Sequence, residues 1–81
     1  MSHLLLVEDD ELLRDGLATQ LIKAGHSVSS APDGEQALPL LEAQRFDAVI
    51  LDLGLPGMDG FAILQWIRQR FSALPVLILT A

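Results

Sequence analysis

Residues able to do chemistry gather at a few points of this chain. Glu8 and Asp9 follow the apolar run Leu4-Leu5-Leu6-Val7, Asp52 closes Ala48-Val49-Ile50-Leu51, and Thr80 closes Val76-Leu77-Ile78-Leu79. Carboxylates brought into one pocket repel, and without a counter-charge at least one holds its proton. No lysine or arginine stands at the end of an apolar run: Arg14, Lys23, Arg68 and Arg70 fall in helix-like stretches and Arg45 in a connection. A hard divalent cation is the economical counter-charge, with Mg²⁺ favoured because it accepts few carboxylates and keeps several waters. Nothing matches the loop of an EF-hand calcium site. A carboxylate beside Mg²⁺ can act as a nucleophile toward phosphorus. The Thr80 hydroxyl and backbone N–H groups of the Leu53–Gly54 turn could donate to the phosphoryl oxygens. Asp52 is the best nucleophile candidate, because it ends the most apolar strand and a Gly/Pro-rich turn leaves room beside it.

These residues must be positioned by the elements around them. His3 to Val7 predicts a first strand, and Leu13, Leu17 and Leu21 at i, i+4, i+8 predict a helix from Glu11 to Ala24 with Gly25 as its stop. His26 to Ser30 reads as a polar edge strand. Asp33 and Gln36 resemble a capping box for a helix to about Gln44, with Ala37, Leu38 and Leu41 inward and Pro39 expected to kink it or disturb its first turn. Asp47 to Asp52 predicts a strand buried on both faces, and Asp59-Gly60 caps a third helix from about Phe61 to Phe71 with Phe61, Leu64 and Ile67 or Arg68 at helical spacing. Pro75 opens the last strand.

The order βαβαβαβ implies a parallel sheet covered on both faces, a doubly wound α/β fold. In the flavodoxin-like strand order 2-1-3-4, strands 1, 3 and 4 are neighbours about 4.8 Å apart. That order sets Glu8, Asp9, Asp52 and Thr80 around one crevice at the carboxyl ends of the strands, where ligands bind in open α/β sheets.

Composition narrows the alternatives. The 81 residues allow one domain at most, and 51% hydrophobic content excludes a disordered segment. There is no cysteine, hence neither a disulfide scaffold nor a thiolate zinc site. A net charge of −6 argues against nucleic-acid binding by this segment. With no apolar run near the roughly 18 residues of a membrane span and no signal peptide, a cytoplasmic location is expected.

The motifs together resemble the receiver domain of bacterial two-component response regulators. Leu4-Leu5-Leu6-Val7-Glu8-Asp9 is similar to that family's first strand, Val49-Ile50-Leu51-Asp52 with the loop to Gly60 to its phosphoacceptor strand, and Leu77-Ile78-Leu79-Thr80-Ala81 to its fourth strand. Within the family the chain looks most similar to the OmpR/PhoB type, whose receiver precedes a winged-helix DNA-binding domain. The resemblance implies that Asp52 accepts a phosphoryl group from a sensor histidine kinase. It implies that Asp9, Asp52 and the Gly54 backbone carbonyl hold Mg²⁺ directly, with Glu8 acting through water. Thr80 would report the phosphoryl group, and backbone groups of Leu53, Gly54 and Ala81 would bind it. It further implies that residues 1–81 are the N-terminal two-thirds of the domain, lacking the family's fifth-strand lysine and an effector domain that would bind DNA. Dimerisation or strand swapping through the exposed fourth strand is then expected.

Plainer readings stand beside these. Glu8 to Glu11 could be only an acidic helix start, and Asp10 and Glu11 read as no more than that. Asp52 alone could be a strand-ending Asx turn. His3 and His26 lack partners at metal spacing and read as structural, and Trp66 and the phenylalanines as packing. Two other functions compete with the phosphoacceptor: an aspartyl-phosphate phosphotransferase or phosphatase, and an interaction domain that is not phosphorylated. The enzyme would place an acid two residues after its nucleophile, where Gly54 stands.

Overall fold

The computed structural model describes residues 2–54 and 59–79. Its elements are β1 (His3–Val7), α1 (Glu11–Lys23), β2 (Ser27–Ala31), α2 (Gly34–Ala43), β3 (Ala48–Asp52), α3 (Gly60–Arg70) and β4 (Val76–Leu79). The strands form one parallel sheet in the order β2-β1-β3-β4, as the alternation of apolar runs and helices predicts. Pro56 and the rest of the Gly/Pro-rich turn at 55–58, together with Thr80 and Ala81, lie outside the described residues.

Each helix begins at an aspartate N-cap, and those at Asp33 and Asp59 are legible in the sequence. Asp10, Asp33 and Asp59 are the N-caps, their side chains accepting from the backbone N–H of Leu13, Gln36 and Phe61. At the end of α1, Gly25 has φ of 99°, its N–H donates to Ile22 O, and the His26 N–H donates to Leu21 O. This pair of bonds is a Schellman closure, and it requires the left-handed backbone that glycine adopts without strain. Pro39 neither breaks α2 nor falls in its first turn. It forgoes one helical bond on the exposed side, while Ala37 and Leu41 keep α2 seated in the core.

The core lies on one face of the sheet. Leu5 and Val7 of β1 and Val49 and Leu51 of β3 pack there with Ala37 and Leu41 of α2, Ile63 and Ile67 of α3, and Phe46. The inward stripe of α3 is therefore Gly60-Ile63-Ile67, and Phe61, at helical spacing with Leu64, is 62% exposed. The reason is geometric: Gly60 takes the closest approach to β3, and i+3 and i+7 from it follow the same face.

The opposite face is covered unevenly. Leu4 and Leu6 are buried there, and α1 packs against β2 and β1. Toward β4 the cover runs out: Ile50 is half-buried and Leu77 is 61% exposed. Two expectations are corrected here. β3 is fully buried on one face only, and none of Leu13, Leu17 and Leu21 is buried, with Leu13 47% exposed. Among the described residues, the contacts of α1 fall chiefly on β2 and β1.

The edge strand β2 begins at Ser27, and its serines suit the edge position. At the amino-terminal end of the sheet the His3 ring stacks on Phe46 with centroids 4.5 Å apart, and its Nδ1 lies 2.9 Å from Arg45 O. The His3 backbone N–H donates to Asp47 Oδ2 at 2.7 Å. His26 Nδ1 accepts from the Ser2 N–H at 3.4 Å, so both histidines have structural partners.

Gly60 is the tightest point of the fold. A Cβ there would stand 2.5 Å from Leu53 Cα and 3.0 Å from Asp52 O, both backbone atoms. Gly60→Ala is therefore expected to destabilise the protein by about 1–3 kcal/mol, the usual range for overpacking. Urea unfolding of the two proteins measures it; an unchanged midpoint would show that α3 does not hold the end of β3.

Candidate functional site

The site follows from strand register. In the parallel β1–β3 pair Val7 lies opposite Leu51, so the chain leaves β1 as Glu8 beside the end of β3 at Asp52. On the other side of β3, Asp52 lies opposite Leu79 of β4. Glu8, Asp9 and Asp52 each offer a carboxylate oxygen, and these oxygens lie within 4.8 Å of one another. They line a crevice of about 450 Å³ with Asp10, Leu13, Leu17 and Leu79. A second crevice, of about 500 Å³, opens at the other end of the sheet between Arg45, Phe46, Phe71 and Leu74. Its carboxylate, Asp47, already accepts the His3 N–H, so size does not select the site and the grouping of acids does.

The three carboxylates differ in setting. Glu8 is 2% exposed, Asp52 is half-buried and Asp9 is exposed. Glu8 is fixed on both sides: its N–H donates to Ala31 O at 3.1 Å, and its Oε2 accepts from the Asp10 N–H at 3.2 Å. Burial raises the Glu8 carboxyl from the ordinary 4.5 to about 7, and the neighbouring Asp52 and Asp9 add to the rise, against the opposing Asp10 N–H. Asp52 Oδ1 accepts the Gly54 N–H at 2.9 Å, an Asx turn that sets the plane of the carboxyl group.

This donor set suits a hard divalent cation. All the ligand atoms are oxygens, and they already converge within reach of one ion. Glu8, Asp9 and Asp52 are thus brought together as the sequence predicts. The Leu53 N–H is engaged with Leu79 O at 3.3 Å, extending the β3–β4 ladder, and the Gly54 N–H with Asp52. Thr80 and Ala81, expected at the same crevice, lie outside the described residues.

Sequence reasoning missed two participants. Asp10 caps α1 through Leu13 and also supplies the N–H that holds Glu8. Arg14, set aside as a helix residue remote from the strand ends, reaches back to donate to Glu8 O at 2.9 Å. No spacing rule signals that contact, because it runs from the first turns of α1 to the loop before it.

The Glu8 shift has a direct consequence for stability. With the folded carboxyl near 7 and the unfolded one near 4.5, the folded state holds the extra proton between those values, so stability falls as pH rises through that window. Without divalent cation, Glu8→Gln is expected to match wild type near pH 4.5 and to exceed its stability by about 3 kcal/mol above pH 7. Denaturant unfolding across that range, comparing both proteins, would refute the assignment if the gap did not change with pH.

With the geometry in place, comparison with known proteins is informative. The family model of the response regulator receiver domain matches residues 4–81. Transcriptional regulatory protein AfsQ1 of Streptomyces coelicolor is 47% identical over 81 residues, covering 100% of this chain and 36% of that protein. Transcriptional regulatory protein QseB of Escherichia coli O157:H7 is 51% identical over 79 residues, 98% of this chain and 36% of that protein. The chain thus spans about a third of the length of these relatives. Among solved structures, response regulator protein TrrA of Thermotoga maritima, in complex with Mg(2+)-BeF, superposes with a TM-score of 0.95 at 32% identity, covering 100% of this chain and 70% of that one. TrrA has also been solved in complex with the histidine kinase ThkA. No helix among the described residues is long and apolar enough to cross a membrane.

Proposed function

The chain belongs to the response regulator receiver domain family, and we propose that in it Asp52 is the residue that accepts a phosphoryl group from a sensor histidine kinase. The observation that carries this reading is the convergence of Glu8, Asp9 and Asp52 at the carboxyl ends of adjacent strands. TrrA supports it from outside, as a relative solved both with Mg(2+)-BeF and with a kinase.

In the transfer, a carboxylate oxygen of Asp52 attacks the phosphorus of a phosphohistidine. The new P–O bond forms as the P–N bond breaks, the electron pair returns to the imidazole, and the product is an acyl phosphate. Asp52 suits the attack: the Gly54 N–H holds Oδ1 and orients the carboxyl group, and the half-open crevice gives the donor access. Asp9 and Asp52 would hold Mg²⁺ directly, with the Gly54 carbonyl completing the set and Glu8 acting through water. When bound, the cation neutralises charge on the phosphoryl oxygens and among the carboxylates. The Thr80 hydroxyl and the Ala81 N–H would then receive those oxygens.

An enzymatic phosphotransferase or phosphatase fits less well. Two residues beyond Asp52, Gly54 offers only backbone, so no side chain there can protonate a leaving group. The relatives are transcriptional regulators about three times as long as this chain. We therefore read residues 1–81 as part of the receiver of a transcription regulator, with DNA contacts made by another domain and a cytoplasmic location.

Incubating the intact protein with acetyl phosphate or its kinase in Mg²⁺ is expected to add one phosphoryl group, labile to hydroxylamine as an acyl phosphate is. Asp52→Asn is expected to abolish labelling, and removal of Mg²⁺ with a chelator to do the same. Labelling of Asp52→Asn at the wild-type level would sink the assignment.

A further inference from the structure

We propose that Arg14 is a positioning residue of the acidic site, holding the β1–α1 turn so that Glu8 and Asp9 face Asp52 ready for a divalent cation; this rests on the reading of the site given above. Arg14 engages three successive carbonyls of that turn. Its Nη1 donates to Glu8 O at 2.9 Å and makes a longer 3.5 Å contact with Asp9 O, and its backbone N–H donates to Asp10 O at 2.8 Å.

These contacts reach the carboxylates through peptide planarity. The Glu8 carbonyl lies in the same rigid plane as the Asp9 nitrogen and Cα, so holding it restricts where the Asp9 side chain begins. The Asp9 carbonyl likewise shares a plane with the Asp10 N–H, and that N–H donates to Glu8 Oε2 at 3.2 Å. One guanidinium thereby constrains two of the three carboxylates without touching either of them. The third, Asp52, is oriented independently by Gly54.

The role predicts an effect opposite in sign to that of charge. A positive group near a cation site repels the cation, so by electrostatics alone its removal would tighten binding. If Arg14 acts by gathering the ligands in advance, its removal loosens binding, as loss of residues supporting metal ligands does.

The test is calorimetric titration of Mg²⁺ into the intact protein, with thermal melts of each variant in the cation-free state. Arg14→Met, similar in length but lacking donors and charge, is expected to weaken Mg²⁺ binding on the order of tenfold. Arg14→Lys keeps a charged donor at this position and is expected to recover part of the loss. Lys23→Met, which removes a charge at the far end of α1, is expected to leave the affinity unchanged. Unchanged or tighter Mg²⁺ binding by Arg14→Met overturns the proposal, as does a lowered melting temperature with the affinity intact, which would mark a merely structural role. Asp9→Asn separates the two levels: wild-type affinity there defeats the cation-site reading itself, whatever Arg14 does.

Discussion

The rest of the structure depends on the parallel register of β1 against β3. Val7 opposite Leu51 sets the next residues, Glu8 and Asp52, side by side where the strands end and the helices have yet to begin. A shift by one residue would turn one strand over relative to the other, taking either Leu5 and Val7 or Val49 and Leu51 off the face that packs against α2 and α3. The hydrophobic pattern that stabilises the sheet therefore also holds the acidic cluster together. Repulsion among the carboxylates is tolerated because the register is fixed by burial elsewhere. Burial first, and the neighbouring acids after it, raise the Glu8 carboxyl.

The surroundings of the site are devoted to holding acids at close range. Asp10 caps α1 and lends its N–H to Glu8, Gly54 turns back on Asp52, and Arg14 gathers the carbonyls between the two acids of the turn. Gly60 lets α3 begin against the backbone of Leu53, which keeps the end of β3 from moving away from β1. Each is a short-range backbone contact. Such contacts place side chains more narrowly than apolar packing does, because hydrogen bonds have direction.

The two faces of the sheet serve different ends. The face under α2 and α3 is a continuous core running from Ala31 to Ile67, and it carries the stability. The face under α1 is closed over β2 and β1 and open toward β4, leaving Leu77 and much of α1 exposed. The acidic crevice lies on this thinner side, lined by Leu13 and Leu17 of α1 and by Leu79.

Much of this was legible in the residues themselves. Caps at Asp33 and Asp59, the stop at Gly25, the strand order and the meeting of Glu8, Asp9 and Asp52 follow from local chemistry, from period, and from the rule that parallel strands end on one edge. Periodicity failed where a helix has apolar residues on more than one stripe. In α3 the spacing picked out Phe61 rather than Ile63, and in α1 the leucines it picked out, Leu13, Leu17 and Leu21, are not buried. The raised Glu8 carboxyl was also beyond it, because its first cause is how deeply the fold buries that side chain. So was Arg14, whose reach to Glu8 depends on the angle at which α1 leaves the sheet. The sequence by itself determined which elements form and at which edge their acids meet, since those depend on residue type and spacing. Only the tertiary structure decided burial, proton affinity and the contacts that aim each carboxylate, since those depend on distances between segments far apart along the chain.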